Sequence, residues 1–185
     1  MANRKLILAA LVAACAVPAS ASVMVLGSSN ARLCYEAADS PAYPAARSIR
    51  DCDEALLRDH LTRYETVATH VNRGILQLRR NLVDHAIRDF DAAIAVDPEQ
   101  PEAYLNKGAA MIRRQDAASA VQLFTVALER NTSRPAIAHY GRAVANEAMG
   151  NLPAAYQDFR RASEIAPDWR EPRTELTRFR VVDTQ

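Results

Sequence analysis

Gly74, Ala86, Phe90 and Ala93 are followed 34 residues later by Gly108, Ala120, Phe124 and Ala127, so four small or aromatic positions recur in one register. Self-similarity at that period marks stacked helical hairpins, each of which needs a neighbour to bury its apolar face. A third set, Ala143, Ala155, Phe159 and Ala162, arrives one residue late, which places an insertion in the link from Asn131 to Pro135. The repeated marks are packing marks: glycine lets two helices approach and phenylalanine takes the volume left open. With five glycines in 185 residues and no evident alternation of apolar and polar residues, the chain reads as mostly helix.

The marks Gly or Ala in one helix, Ala-x3-Phe-x2-Ala in the next, and an exit at Asp97-Pro98 or Ala166-Pro167 resemble the tetratricopeptide repeat family. The resemblance implies an all-α fold: a right-handed α-solenoid of antiparallel helix pairs with copies over 67–100, 101–135 and 136–169. A C-terminal capping helix and tail would occupy 170–185, since a terminal unit needs a polar outer face. The stretch from Glu171 to Phe179 reads as that helix, and Trp169 seals the junction before it or, as a second reading, stacks on a ligand. The family's large aromatic near each repeat start is Tyr104 in the second copy, while His70 and His139 stand there in the others.

Arg4 and Lys5 precede an apolar run from Leu6 to Val17, and Ala19-Ser20-Ala21 follows Pro18, the layout of a secretory signal peptide over residues 1–21. The run is short for a membrane span, which needs roughly 20 apolar residues. A rival processing route is open, because Val12-Ala13-Ala14-Cys15 resembles the lipobox of bacterial lipoproteins, with lipid on Cys15. Loss of residues 1–21 removes two cations and takes the formal charge from +1 to −1. A chain so nearly neutral has no long-range attraction for nucleic acid or an acidic membrane, leaving lipidation as the route to membrane contact.

Either route leaves Cys34 and Cys52, an even pair that in an exported chain favours a disulfide. Helices over 29–38 and 45–57, broken at Pro41-Ala42-Tyr43-Pro44, place both cysteines nine positions from Tyr43 and therefore opposite each other. The bridge would staple a degenerate hairpin within 22–62 and is worth about 3 kcal/mol in the chain-entropy model. A redox-active pair is the other reading, although Cys-x-x-Cys spacing is absent.

Local signals set the remaining helices. Thr62-Arg63-Tyr64-Glu65 has the form of a capping box, predicting a helix over 63–80 that ends at Asn81. Helices follow over 82–96, 101–115, 117–130, 135–149 and 152–165, with Pro101 and Pro135 suited to first turns, Asp116 to a cap and Gly150 to a left-handed exit.

No cofactor motif is present: there is no phosphate-binding glycine loop or Gly-x-Ser-x-Gly elbow, and His60, His70, His85 and His139 lack zinc-protease spacing. The doublets Arg79-Arg80 and Arg113-Arg114 close helices, where cations complement the helix dipole, and a weak anion preference along that edge is the alternative. In the family the first helix of each repeat lines an inner wall, and the matching positions are Val71, Asn72, Ile75 and Arg79, then Leu105, Asn106, Ala109 and Arg113, then Tyr140 and Val144. An asparagine amide both donates and accepts, so Asn72 and Asn106 could bond the backbone of an extended peptide whose side chains meet Val71, Ile75, Leu105 and Tyr140. Asparagine there could equally tie helices together.

Some family members clamp an acidic carboxyl terminus with Lys and Asn in the first repeat; Val71 and Ile75 occupy those places and suit an apolar stretch instead. Val23-Met24-Val25-Leu26 is itself such a stretch, so the wall is either covered by its own chain or free. The reading is a periplasmic, non-catalytic scaffold for a protein or peptide partner. A lipidated outer-membrane assembly factor is its rival, and an enzyme a more distant one.

Overall fold

The computed structural model describes residues 4–8, 21–25, 29–40 and 45–183. Among them are nine helices: α1 (Ser29–Asp39), α2 (Ala45–Arg58), α3 (Arg63–Arg79), α4 (Val83–Val96), α5 (Pro101–Arg113), α6 (Ala117–Glu129), α7 (Pro135–Ala148), α8 (Leu152–Ile165) and α9 (Arg170–Leu176). They pack as antiparallel pairs, α1 on α2, α3 on α4, α5 on α6 and α7 on α8, with each pair leaning on the next and α9 closing against α8. The Cys15 lipobox, the Pro41–Pro44 break and Leu26 lie outside the described residues.

Chain chemistry at the helix ends explains the sharp hairpins. Thr62 accepts from the Glu65 amide at 3.2 Å while Glu65 accepts from the Thr62 amide at 2.8 Å, the reciprocal capping box that starts α3. Asp116 caps α6 by accepting from the Ser119 amide at 3.1 Å. Four helices end in the same way, with Asn81, Gln115, Asn131 and Gly150 at φ of 59°, 63°, 56° and 76°. The residue after each donates back five positions, as in Leu82 to the Gln77 carbonyl and Asn151 to the Asn146 carbonyl, so carbonyls orphaned at the helix end are satisfied. Gly150 carries no steric penalty in this left-handed conformation; the other three positions bear it.

The repeat marks meet as rings against glycines. A Cβ on Gly74 would lie 2.4 Å from the Phe90 ring, and one on Gly108 would lie 3.0 Å from Phe124. Phe124 also abuts Gly141, where a Cβ would come within 2.3 Å, so one ring locks α5, α6 and α7 together. The late arrival of the third copy is absorbed in the α6–α7 link, where Glu102 of α5 accepts from the Ser133 amide at 2.9 Å and from the Thr132 hydroxyl at 3.3 Å.

Cys34 and Cys52 form a disulfide joining α1 to α2, and both are fully buried. The two ends of the chain depart from expectation. The last helix stops at Leu176 instead of continuing to Phe179, and Phe179–Asp183 is a strand, β2, paired antiparallel with β1 (Arg4–Leu8) inside the expected leader. Phe-Arg-Val-Val favours extended backbone over helix because of its ring and β-branches, and β1 supplies the hydrogen-bond partner a lone strand lacks. Arg178 fixes the turn by ion pairs to Glu175 and to Glu147 of α7.

Among the described residues, no helix is long and apolar enough to cross a membrane.

Candidate functional site

The inner wall is built by α3, α5 and α7, which lie in sequence along the stack. Its first two members meet an extended piece of the same chain, residues 21–25. Asn72 accepts from the Val23 amide at 2.9 Å and donates to the Val23 carbonyl at 2.8 Å. Asn106, one repeat later, donates to the Ala21 carbonyl at 3.1 Å and faces the Ala21 amide at 3.5 Å. Each carboxamide therefore pairs with both backbone groups of one residue, and the two residues held are two apart. A strand presents alternate side chains to opposite faces, so holding residues 21 and 23 aims 21, 23 and 25 the same way. Ala21, Val23 and Val25 are buried, at 1%, 6% and 1% exposure, whereas Met24 is 52% exposed. Ser22 donates to the Asp39 carboxylate at the end of α1, at 2.7 Å.

Asn72 and Asn106 are themselves inaccessible to solvent, and a buried carboxamide left unbonded would cost about 1 to 3 kcal/mol. The segment satisfies that demand. Asn106 also donates to the Glu102 carbonyl at 2.8 Å, so it ties its own helix as well as the segment. Val71, Ile75, Leu105 and Ala109 share one continuous core with Ala21, Val23 and Val25.

The other expected wall residues have different settings. Arg79 donates to the carbonyls of Ala37, Ala38 and Ser40 at the end of α1, and Arg113 donates to the Leu78 carbonyl at the end of α3. Each guanidinium thus ties the final turn of a neighbouring helix, where unsatisfied carbonyls carry partial negative charge. Tyr140 packs on Phe159 and Trp169 with ring centroids 5.4 and 4.8 Å away, and Val144 is half-buried against the same group. Gly141 occupies the place of Asn72 and Asn106 in the third copy, so the row of asparagines ends after two. Trp169 is accordingly part of the closing aromatic cluster, together with Phe179.

Sequence reasoning missed a buried ionic motif that recurs at a spacing of 69. Asp89 accepts from Arg73 and bonds His70 at 2.9 Å; Asp158 accepts from Arg142 and bonds His139 at 2.8 Å. Burial pushes each carboxyl up, but the His70 and Arg73 bonds on Asp89, and the Arg142 and His139 bonds on Asp158, outweigh it and hold both below the ordinary 3.8. The histidines at the aromatic mark are thus half of a polar substitute for an aromatic contact. In the middle copy, Tyr104 stacks under Arg130 at 4.6 Å, Lys107 pairs with Asp91 at 2.5 Å, and Leu123 takes the aspartate's place. The signal was available in the shared His-x2-Arg and Asp-Phe spacing of the first and third copies. His60 and His85 are exposed.

The family model described as Tetratricopeptide repeat matches residues 71–135 and 113–168, together more than half of the chain. Among solved structures, the first TPR of Spaghetti (RPAP3), bound to the HSP90 peptide SRMEEVD, is 25% identical with a TM-score of 0.58, over 61% of this chain and 89% of that one. A crystal structure of MamA is 21% identical with a TM-score of 0.62, over 71% of this chain and 74% of that one. MamA 41-end from Desulfovibrio magneticus RS-1 is 15% identical with a TM-score of 0.65, over 80% and 82%. No curated protein matches.

Proposed function

The chain belongs to the tetratricopeptide repeat family, and from that premise we propose that it is an exported, non-catalytic scaffold that holds an extended segment of a partner protein along its inner wall. The observation that carries this reading is the pairing of Asn72 and Asn106 with both backbone groups of residues two apart, which is a binding geometry for any extended chain. Backbone bonds give affinity without demanding a sequence, and the apolar floor of Val71, Ile75 and Leu105 adds selectivity for apolar side chains. RPAP3 supports peptide capture as the use of such a fold, since its first TPR is bound to the HSP90 peptide SRMEEVD. The acidic character of that peptide does not carry over, because the wall here is apolar and its two arginines, Arg79 and Arg113, are engaged with helix ends.

Export is supported by the leader-like residues 1–21 and by a buried disulfide, a bond that persists in oxidising compartments. The intact mass of the mature chain separates cleavage after Ala21 from lipidation at Cys15. For the scaffold itself, crosslinking pull-downs from the cell envelope should recover a partner with the natural chain and several-fold less with Asn72→Ala plus Asn106→Ala at unchanged helical circular dichroism. Undiminished recovery by the double variant contradicts the inner wall as the contact.

A further inference from the structure

Residues 21–25 show what the wall selects. The segment enters as an extended chain, places Ala21, Val23 and Val25 in the core, leaves Met24 in solvent, and satisfies two buried carboxamides. Small side chains stand at all three inward positions; a larger one would have to displace a wall that is already fully buried at Val71 and Ile75. Between them, Ser22 donates to Asp39, a carboxylate that would repel an acidic residue and accept from a hydroxyl or a cation.

Building on the scaffold reading, we infer that the wall's partner is an extended segment of another protein with small apolar side chains at every second residue and a donor between the first two. The chain's own residues 21–25 are a resident competitor for that site. The competitor lies across the expected cleavage point. A chain cut after Ala21 loses both Asn106 pairings and keeps both Asn72 pairings, so half of the ladder opens to an incoming segment. A chain retained from Cys15 onward keeps all four and stays covered. Processing after Ala21 therefore sets how much of the wall is available. The third copy adds nothing to the ladder, because Gly141 has no side chain to offer and faces Phe124.

The test is fluorescence anisotropy with a labelled synthetic peptide carrying the sequence of residues 19–26, titrated with the full-length chain. In one arm the chain is unmodified and the peptides differ. Asp at the peptide's Val23 and Val25 positions should weaken binding at least tenfold, whereas Asp at its Met24 position should leave it within about twofold. In the other arm the full-length chain carries Val23→Asp and Val25→Asp, which expels its own segment because an unpaired carboxylate is not tolerated in an apolar core. That chain should bind the natural peptide at least tenfold more tightly than the unmodified one, and adding Asn72→Ala should cancel the gain.

Equal affinity for the inward-substituted and outward-substituted peptides overturns the alternation, and it does so in a chain whose folding is not in question. No gain on expelling the segment overturns the competition. The peptide arms need no natural partner, so they are independent of the pull-down. A partner captured through Asn72 and Asn106 that the peptide cannot displace would leave the scaffold reading standing and this inference refuted.

Discussion

The first two repeats and the third share one scaffold and put opposite chemistry on its inner side. On α3 and α5 the same repeat position holds Asn72 and Asn106, which reach an extended chain; on α7 it holds Gly141, pressed against Phe124. Next to it Tyr140 lies in an aromatic cluster with Phe159 and Trp169, where the earlier copies have Val71 and Leu105 beside their asparagines. The outer framework does not follow this division, for the His-Arg-Asp triads appear in copies one and three and are absent from copy two. Framework and wall are thus set by separate positions of the repeat. A change in one should leave the other intact.

Five substitutions break or sharpen that contrast. The largest effect belongs to Phe124, the ring shared by both halves: Phe124→Ala should cost about 3 to 5 kcal/mol in urea unfolding, with loss of cooperativity between the halves. A cost below 1 kcal/mol would mean that the halves are held together elsewhere.

Next is the staple, confined to the first half. Cys52→Ser should remove about 3 kcal/mol in oxidising buffer and make the melting temperature indifferent to reductant. Equal melting temperatures for the two proteins would refute the role. Extending the ladder should fail: Gly141→Asn adds a side chain where a Cβ already meets Phe124 at 2.3 Å, and overpacking of this kind costs about 1 to 3 kcal/mol. Improved peptide binding by that variant would show that the third repeat's wall is adaptable.

The smallest effect, and the one that should be equal in both halves, comes from the triads. Asp89→Asn and Asp158→Asn should each cost about 1 to 3 kcal/mol at pH 7, the range for hydrogen bonds to charged groups discounted for the partly exposed arginines. Because both carboxyls are held below their unfolded value, their contribution is complete above pH 3.8 and is lost as pH falls from there through the folded values. The free energy of urea unfolding should therefore fall more steeply between pH 7 and pH 3 for the natural chain than for the Asn variants, which lack the titrating carboxyl. An unchanged acid profile would remove the triads from the stability of the framework.

Much of the fold was legible because it rests on local rules. The capping box at Thr62, the prolines at 101 and 135 and the period of 34 each act over a few residues or repeat often enough to be read. The cysteine pair was legible from hairpin geometry. What escaped depended on contacts between distant parts. Nothing local joins Arg4–Leu8 to Phe179–Asp183, so β1 and β2 could not be foreseen. The aspartates of the triads lie 19 residues from their histidines, and their role emerges only when two helices meet. For the wall, residue type alone names asparagines able to hold a backbone, whereas the cover by residues 21–25 depends on contacts between parts of the chain 49 residues apart or more. The register of Arg79 and Arg113 matches the wall, while their long side chains reach neighbouring helix ends.

Asn72 gripping the backbone of Val23 is the contact on which the inner wall's role rests, and amide hydrogen exchange at Val23 tests that grip most directly. In the natural chain this amide should exchange at least a hundredfold more slowly than in an unstructured peptide, and Asn72→Ala should return it close to the unstructured rate while the helices stay protected. Exchange at the unstructured rate in the natural chain would show that the segment does not occupy the wall, and the reading of Asn72 and Asn106 as backbone clamps would fail.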